Sequence, residues 1–177
     1  MASLMNVGRS LMLRAVALRG SFTLGAAVAA RVGVAELAAH QVALQIWSTL
    51  ALGLDAVAIA GQALTGRWLG AGVLEKAKGA AHRMIQIDVA FGAIAGIGIL
   101  LARNQLASLF SNDPNVVTAI GAVLVWVAVT EPLNGYVFAL DGILIGAGDM
   151  DYLGKTMLIA ATAFGAMRWP CFASEPR

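Results

Sequence analysis

Two aspartates stand inside the longest apolar stretches of the chain, Asp55 within Val42 to Gly66 and Asp141 within Val116 to Gly148, and neither has a basic residue nearby in sequence. An ionised side chain at the centre of a bilayer costs at least ~2.5 to 3.5 kcal/mol, so such a residue faces protein or a wet cavity. Removal from water disfavours the charged carboxylate, which can then take up and release a proton; a cation beside it favours the charged form instead. Proton and cation therefore compete for one group. Asp55 and Asp141 are the first candidates for binding a cation or a cationic substrate.

Weaker candidates surround them. On a helical wheel Gln41 and Gln62 lie about 40° and 20° from the direction of Asp55, and Gln45 about 80° away. One carboxyl and two amides on a single stripe suit a cavity-facing helix; they equally suit hydrogen bonds between helices, each contributing about 0.6 to 2 kcal/mol. Glu131 and Asn134 flank Pro132, which removes a backbone donor and predicts a kink over residues 129–134. Both could solvate the groups that the proline frees. Asp113, Asp149 and Asp151 read as loop or helix-end residues, with Asp113-Pro114 as a helix start.

Other chemistries lack their residues. Gly154, Lys155 and Thr156 imitate the end of a phosphate-binding loop, but Asp149 occupies the place of its first glycine. His40 and His82 stand on different segments with no further ligand at metal spacing, Cys171 is the sole cysteine, and no G-x-S-x-G nucleophile motif occurs. Neither an enzyme nor a bound metal or cofactor is expected. A net charge of +2 from scattered basic residues gives no nucleic-acid footprint.

The elements that must position these acids are membrane helices. The chain of 177 residues is 59% hydrophobic and 12% charged, against about 25% charged in soluble domains. Five helical segments are expected, at about 9–31, 37–66, 75–102, 114–147 and 152–166, embedded in a lipid bilayer. The fourth is too long for a ~30 Å hydrocarbon core unless it tilts, protrudes or breaks. The fifth, ending near Ala166, is short of a span. Gly92/Gly96 and Gly142/Gly146 are small residues four apart, which let helices approach closely. Arg67, Lys76, Lys78 and Arg83 concentrate in one connection, so the positive-inside rule places it, and the N-terminus, in the cytoplasm. The basic start of the chain, with Arg9, Arg14 and Arg19, also imitates a targeting peptide, but these arginines do not share one helical face.

The stretches RSLMLRAVALRGSFTLGAAVAARVG (Arg9 to Gly33), AAHQVALQIW (Ala38 to Trp47), LDAVAIAGQALTG (Leu54 to Gly66) and EPLNGYVFALDGILIGAGD (Glu131 to Asp149) resemble the multidrug and toxic compound extrusion (MATE) transporters, in particular their DinF-like branch. Four segments match in order and spacing, over about Arg9 to Ala166. The resemblance implies an all-α integral membrane fold: one lobe of a transporter built from two six-helix bundles around a cavity that opens alternately to each side. This chain would be the second bundle, helices seven to eleven, without the first six helices and without the twelfth.

The implied activity is exchange of a proton or sodium ion for an organic substrate, with cationic ones suited to the acids. The implied location is the inner cell membrane. By the resemblance Asp141 falls at a tenth-helix acid implicated in cation binding, and Asp55 matches an aspartate of the DinF-like eighth helix. No acid lies between Arg9 and Gly33, where a seventh-helix glutamate accompanies that site; this argues against a sodium site of that type and leaves protonation as the simpler chemistry. Met167 to Arg177 (MRWPCFASEPR) departs from the pattern, as a shifted frame or truncated gene would make it. Such a part is expected not to transport alone. The other expectation is a structural half that assembles with a separately encoded first bundle or with itself.

Overall fold

A computed structural model describes residues 2–149, 152–160 and 162–163. Four long helices occupy most of them: α1 (Ala2–Val32), α2 (Val34–Gly70), α3 (Leu74–Phe110) and α4 (Pro114–Ala147). A further helical stretch covers residues 152–160 and 162–163. No strand occurs among the described residues. The protein is an all-α membrane bundle. Helices α2, α3 and α4 are each long and apolar enough to cross a bilayer.

The helices outrun the apolar segments that announce them. α3 was expected over 75–102 and runs from Leu74 to Phe110, and α2, expected over 37–66, runs from Val34 to Gly70. Hydropathy marks the part of a helix that prefers lipid, while the backbone ladder continues through polar residues such as Arg103, Asn104 and Gln105. The fifth segment was expected to reach 166, and its end, with the tail at 167–177, lies outside the described residues.

Local signals fix the connections. Asp113 caps α4, accepting a hydrogen bond from the Asn115 N–H at 2.9 Å, with Pro114 in the first turn. At the other end Gly148 closes the helix with φ 80°, and Gly72 makes the short turn between α2 and α3 with φ 71°. Both need the left-handed region that glycine enters freely.

The chain divides into two compact units, one built from residues up to Leu37 together with those from Asp149 onward, the other from Ala38 to Gly148. In the first, Gly25, Leu153 and Gly154 are buried, and Asp149 starts the last helical stretch by accepting from the Tyr152 N–H at 3.2 Å.

The second unit is a three-helix packing. Gly142 and Gly146 of α4 lie on the carbonyls of Ala58 and Gln62, so α2 and α4 run in the same direction. Gly92 and Gly96 of α3 lie on the carbonyls of Glu131 and Ala128, and Gly135 lies on that of Asp88, so α3 runs opposite to α4. Lipid tails are as apolar as leucine, which removes the usual drive for burial and leaves close packing and hydrogen bonding to hold such helices together. Glycine supplies the closeness. α4 buries Ile120, Leu124, Ala128, Glu131, Gly135, Ala139 and Gly142, a stripe at three- and four-residue steps that faces its two neighbours.

Candidate functional site

The buried stripe of α4 changes character at Ala128. Before it, Ile120 and Leu124 pack with Ala39, Ile99 and Ala107 in a wholly apolar cluster. Beyond it come Glu131, Gly135 and Gly142. Pro132 has no N–H to give to the Ala128 carbonyl one turn back. α4 is continuous through the proline, and the freed carbonyl lies against Gly96 of α3, where any Cβ would strike it.

Glu131 is fully buried, with its Oε1 accepting from Asn134 Nδ2 at 3.2 Å and its Oε2 without a hydrogen-bond partner among the described residues. Asn134 thus serves the carboxyl rather than the backbone that Pro132 opens. On α3, Asp88 is also fully buried, and neither of its carboxyl oxygens has a partner among the described residues. A carboxyl held in that way is satisfied by a proton on it or by a cation against it, since an unpaired charge away from water is costly.

The two carboxyls do not form one hydrogen-bonded pair. Glu131 is opposite Gly92, one turn along α3 from Asp88, a backbone offset of about 6 Å. Side chains lean toward the N-terminus of their own helix. In antiparallel helices these two therefore lean apart, Asp88 toward the level of Met84 and Glu131 toward that of Ala128.

The residues singled out in the sequence occupy different settings. Asp141 is half-buried on α4, beside the Gly142 that meets the Ala58 carbonyl. Asp55 is exposed on α2, three residues before Ala58. Because α2 and α4 are parallel and in register there, Asp55 and Asp141 stand at nearly one level, about 3 Å apart along the axis. Gln62 is half-buried with its carbonyl on Gly146, and Gln41 is exposed about 21 Å from Asp55 along α2, beside the apolar cluster. Glu131 and Asn134 are joined directly by a hydrogen bond.

Asp88 is a further buried acid that neighbouring apolar residues do not announce in sequence: α3 begins at Leu74, so Asp88 is about 21 Å inside the helix. The signal was present in the spacing: Asp88, Gly92 and Gly96 recur every four residues, and the two glycines already marked the packed face. Asp88 is level with Gly135, and Asp55 with about position 139 by the register of Ala58 on Gly142. All four acids of the span interiors, Asp55, Asp88, Glu131 and Asp141, therefore fall within the stretch of α4 from Glu131 to Asp141, about 15 Å deep.

Long apolar helices packed through glycine around a layer of acids define an integral membrane bundle. The chain belongs to the MatE family, whose profile matches residues 11–167. It is 34% identical over 161 residues to Protein DETOXIFICATION 43 of Arabidopsis thaliana, covering 90% of this chain and 31% of that protein. With Multidrug resistance protein MdtK of Pectobacterium atrosepticum it shares 33% identity over 138 residues, 76% of this chain and 30% of the relative. Multidrug and toxin extrusion protein 1 of Xenopus tropicalis is 28% identical over 130 residues, 73% of this chain and 23% of its own length. The chain thus spans less than a third of the curated relatives it matches. No solved structure gives a significant match.

Proposed function

We propose that the chain is the second bundle, helices seven to eleven, of a cation-coupled exporter of organic compounds in the DinF-like branch of the MATE transporters. Asp55 and Asp141 bind the coupling cation or a cationic substrate, Gln41, Gln62 and Asn134 face the cavity, and Glu131 accepts a hydrogen bond from Asn134 behind them. The observation that carries this reading is the single layer holding all four span-interior acids. Such a layer supports exchange because a proton and an organic cation compete for the same carboxyls. The names of relatives, which speak of multidrug resistance and of multidrug and toxin extrusion, support an organic substrate.

Alternating access needs two bodies that move against each other around a fixed site. In this reading the chain works against a further bundle of the transporter. The bias of Arg67, Lys76, Lys78 and Arg83 supports an inner-membrane orientation with the α2–α3 turn and the N-terminus in the cytoplasm.

The test is exchange by the chain with its co-purifying partner in proteoliposomes carrying an imposed proton gradient. Adding ethidium should dissipate the gradient. Asp55→Asn and Asp141→Asn should each slow that dissipation at least about tenfold, in line with loss of the group that carries the proton. Unchanged exchange in both variants sinks the assignment.

A further inference from the structure

The acid layer does not use a second feature of the three-helix unit. Between α2 and α3, next to their turn, runs an open groove of about 480 Å³, within the ~300 to 1,000 Å³ of ordinary ligand sites. Its floor is Gly61, against which the Met84 side chain packs so closely that a Cβ on the glycine would collide with it. Val57 and Ile87 line its inner part, and Trp68, Lys76 and Arg83 its outer part. One end is therefore apolar and the other cationic.

The outer charges are available. Lys76 Nζ lies 4.5 Å from the centre of the Trp68 ring, and the Arg67 guanidinium carbon lies 5.3 Å from it. Among the described residues Lys76 and Arg83 have no carboxylate partner. Lys78, two residues from Lys76, is instead paired with Glu75 at 3.1 Å and does not line the groove.

Depth completes the pattern. A 37-residue helix is about 55 Å long and leaves about 12 Å beyond each side of a ~30 Å core when centred, some eight residues. That puts the hydrocarbon boundary near Gln62 on α2 and His82 on α3. Trp68 and Lys76 fall in the headgroup zone, Arg83 at the boundary, and Met84 and Ile87 inside. Tryptophan and basic residues at that depth are the interfacial pattern of membrane proteins, and basic pockets between membrane helices suit anionic headgroups.

We propose that this groove is a binding site for an anionic phospholipid, with an acyl chain along Val57, Gly61, Met84 and Ile87 and the headgroup phosphate held by Lys76 and Arg83. The site is separate from the acid layer and does not depend on what the bundle transports.

The test is lipid binding to the purified chain in neutral detergent, titrated with phosphatidylglycerol or phosphatidylcholine and read by native mass spectrometry. Phosphatidylglycerol should bind about thirtyfold tighter, at about fivefold for each of the two cations. The double change Lys76→Gln with Arg83→Gln should bring it down to the phosphatidylcholine level. Lys78→Gln, the same loss of charge outside the groove, should leave binding within about twofold, as expected of an exposed and already paired cation. Leu64→Trp and Ala80→Trp, which fill the groove from opposite walls, should each weaken both lipids, with helical circular dichroism confirming the fold. Equal binding of the two lipids, or an equal loss in Lys78→Gln, overturns the proposal. Full occupancy in the folded filled variants, or displacement of the lipid by millimolar inorganic phosphate alone, does so as well.

Discussion

The two halves of α4 solve the same packing problem with opposite materials. From Ile120 to Ala128 the helix meets its neighbours through apolar side chains, Ile120, Leu124 and Ala128 packing with Ala39, Ile99 and Ala107. From Glu131 to Gly142 it meets them through glycine against backbone, and all three buried polar or charged residues of the described chain, Thr65, Asp88 and Glu131, belong to that end of the unit. Side-chain packing tolerates a polar group badly. Backbone packing brings helices close without filling the space beside them, and that space is where a carboxyl can stand. The apolar half holds the helices together; the glycine half holds them together and keeps acids among them.

Substitutions that exchange the two materials should break this contrast, beginning with the largest effect. Gly135→Leu would drive a side chain into the Asp88 carbonyl, which as backbone cannot move aside. We expect a loss of roughly 3 kcal/mol or more in detergent unfolding followed by circular dichroism. Gly121→Leu, on the same helix with nothing within 4 Å of its Cβ position, should change little. Equal losses in the two would mean that glycine packing does not hold this seam.

Next comes the apolar half. Leu124→Ala leaves a cavity at a site with no exposure and should cost roughly 2 kcal/mol, without affecting binding of an organic cation. The smallest effects belong to the buried acids. Glu131→Leu strands the Asn134 amide and should cost about 1 kcal/mol, whereas Asp88→Val removes a carboxyl with no partner and should leave stability unchanged or raise it by up to about 1 kcal/mol. A large loss in Asp88→Val would show that the carboxyl is a structural tie.

Much of this was legible in the sequence because membrane helices obey few rules. Long apolar runs gave the helices, Asp113-Pro114 marked the start of α4, and the pairs Gly92/Gly96 and Gly142/Gly146 lie at real seams. The helix ends were less legible, since hydropathy falls away before the hydrogen-bond ladder does. α4 continues through Pro132, and what the sequence does not reveal there is that Gly96 of α3 lies against the carbonyl the proline frees. Which acids are buried was the least legible, because burial depends on the partner helix. Asp55 stood out for the apolar residues around it in sequence and is exposed in this unit, while Asp88 stood near charged residues in sequence and is enclosed by α3–α4 packing.

The division of labour between the halves is tested most directly by counting protons. Binding of tetraphenylphosphonium to the purified chain with its partner bundle can be followed by titration calorimetry in two buffers of different ionisation enthalpy. We expect proton release on binding that persists in Leu124→Ala and disappears when Asp55, Asp88, Glu131 and Asp141 are all replaced by their amides. Proton release undiminished in that fourfold variant would contradict a working role for the acid layer.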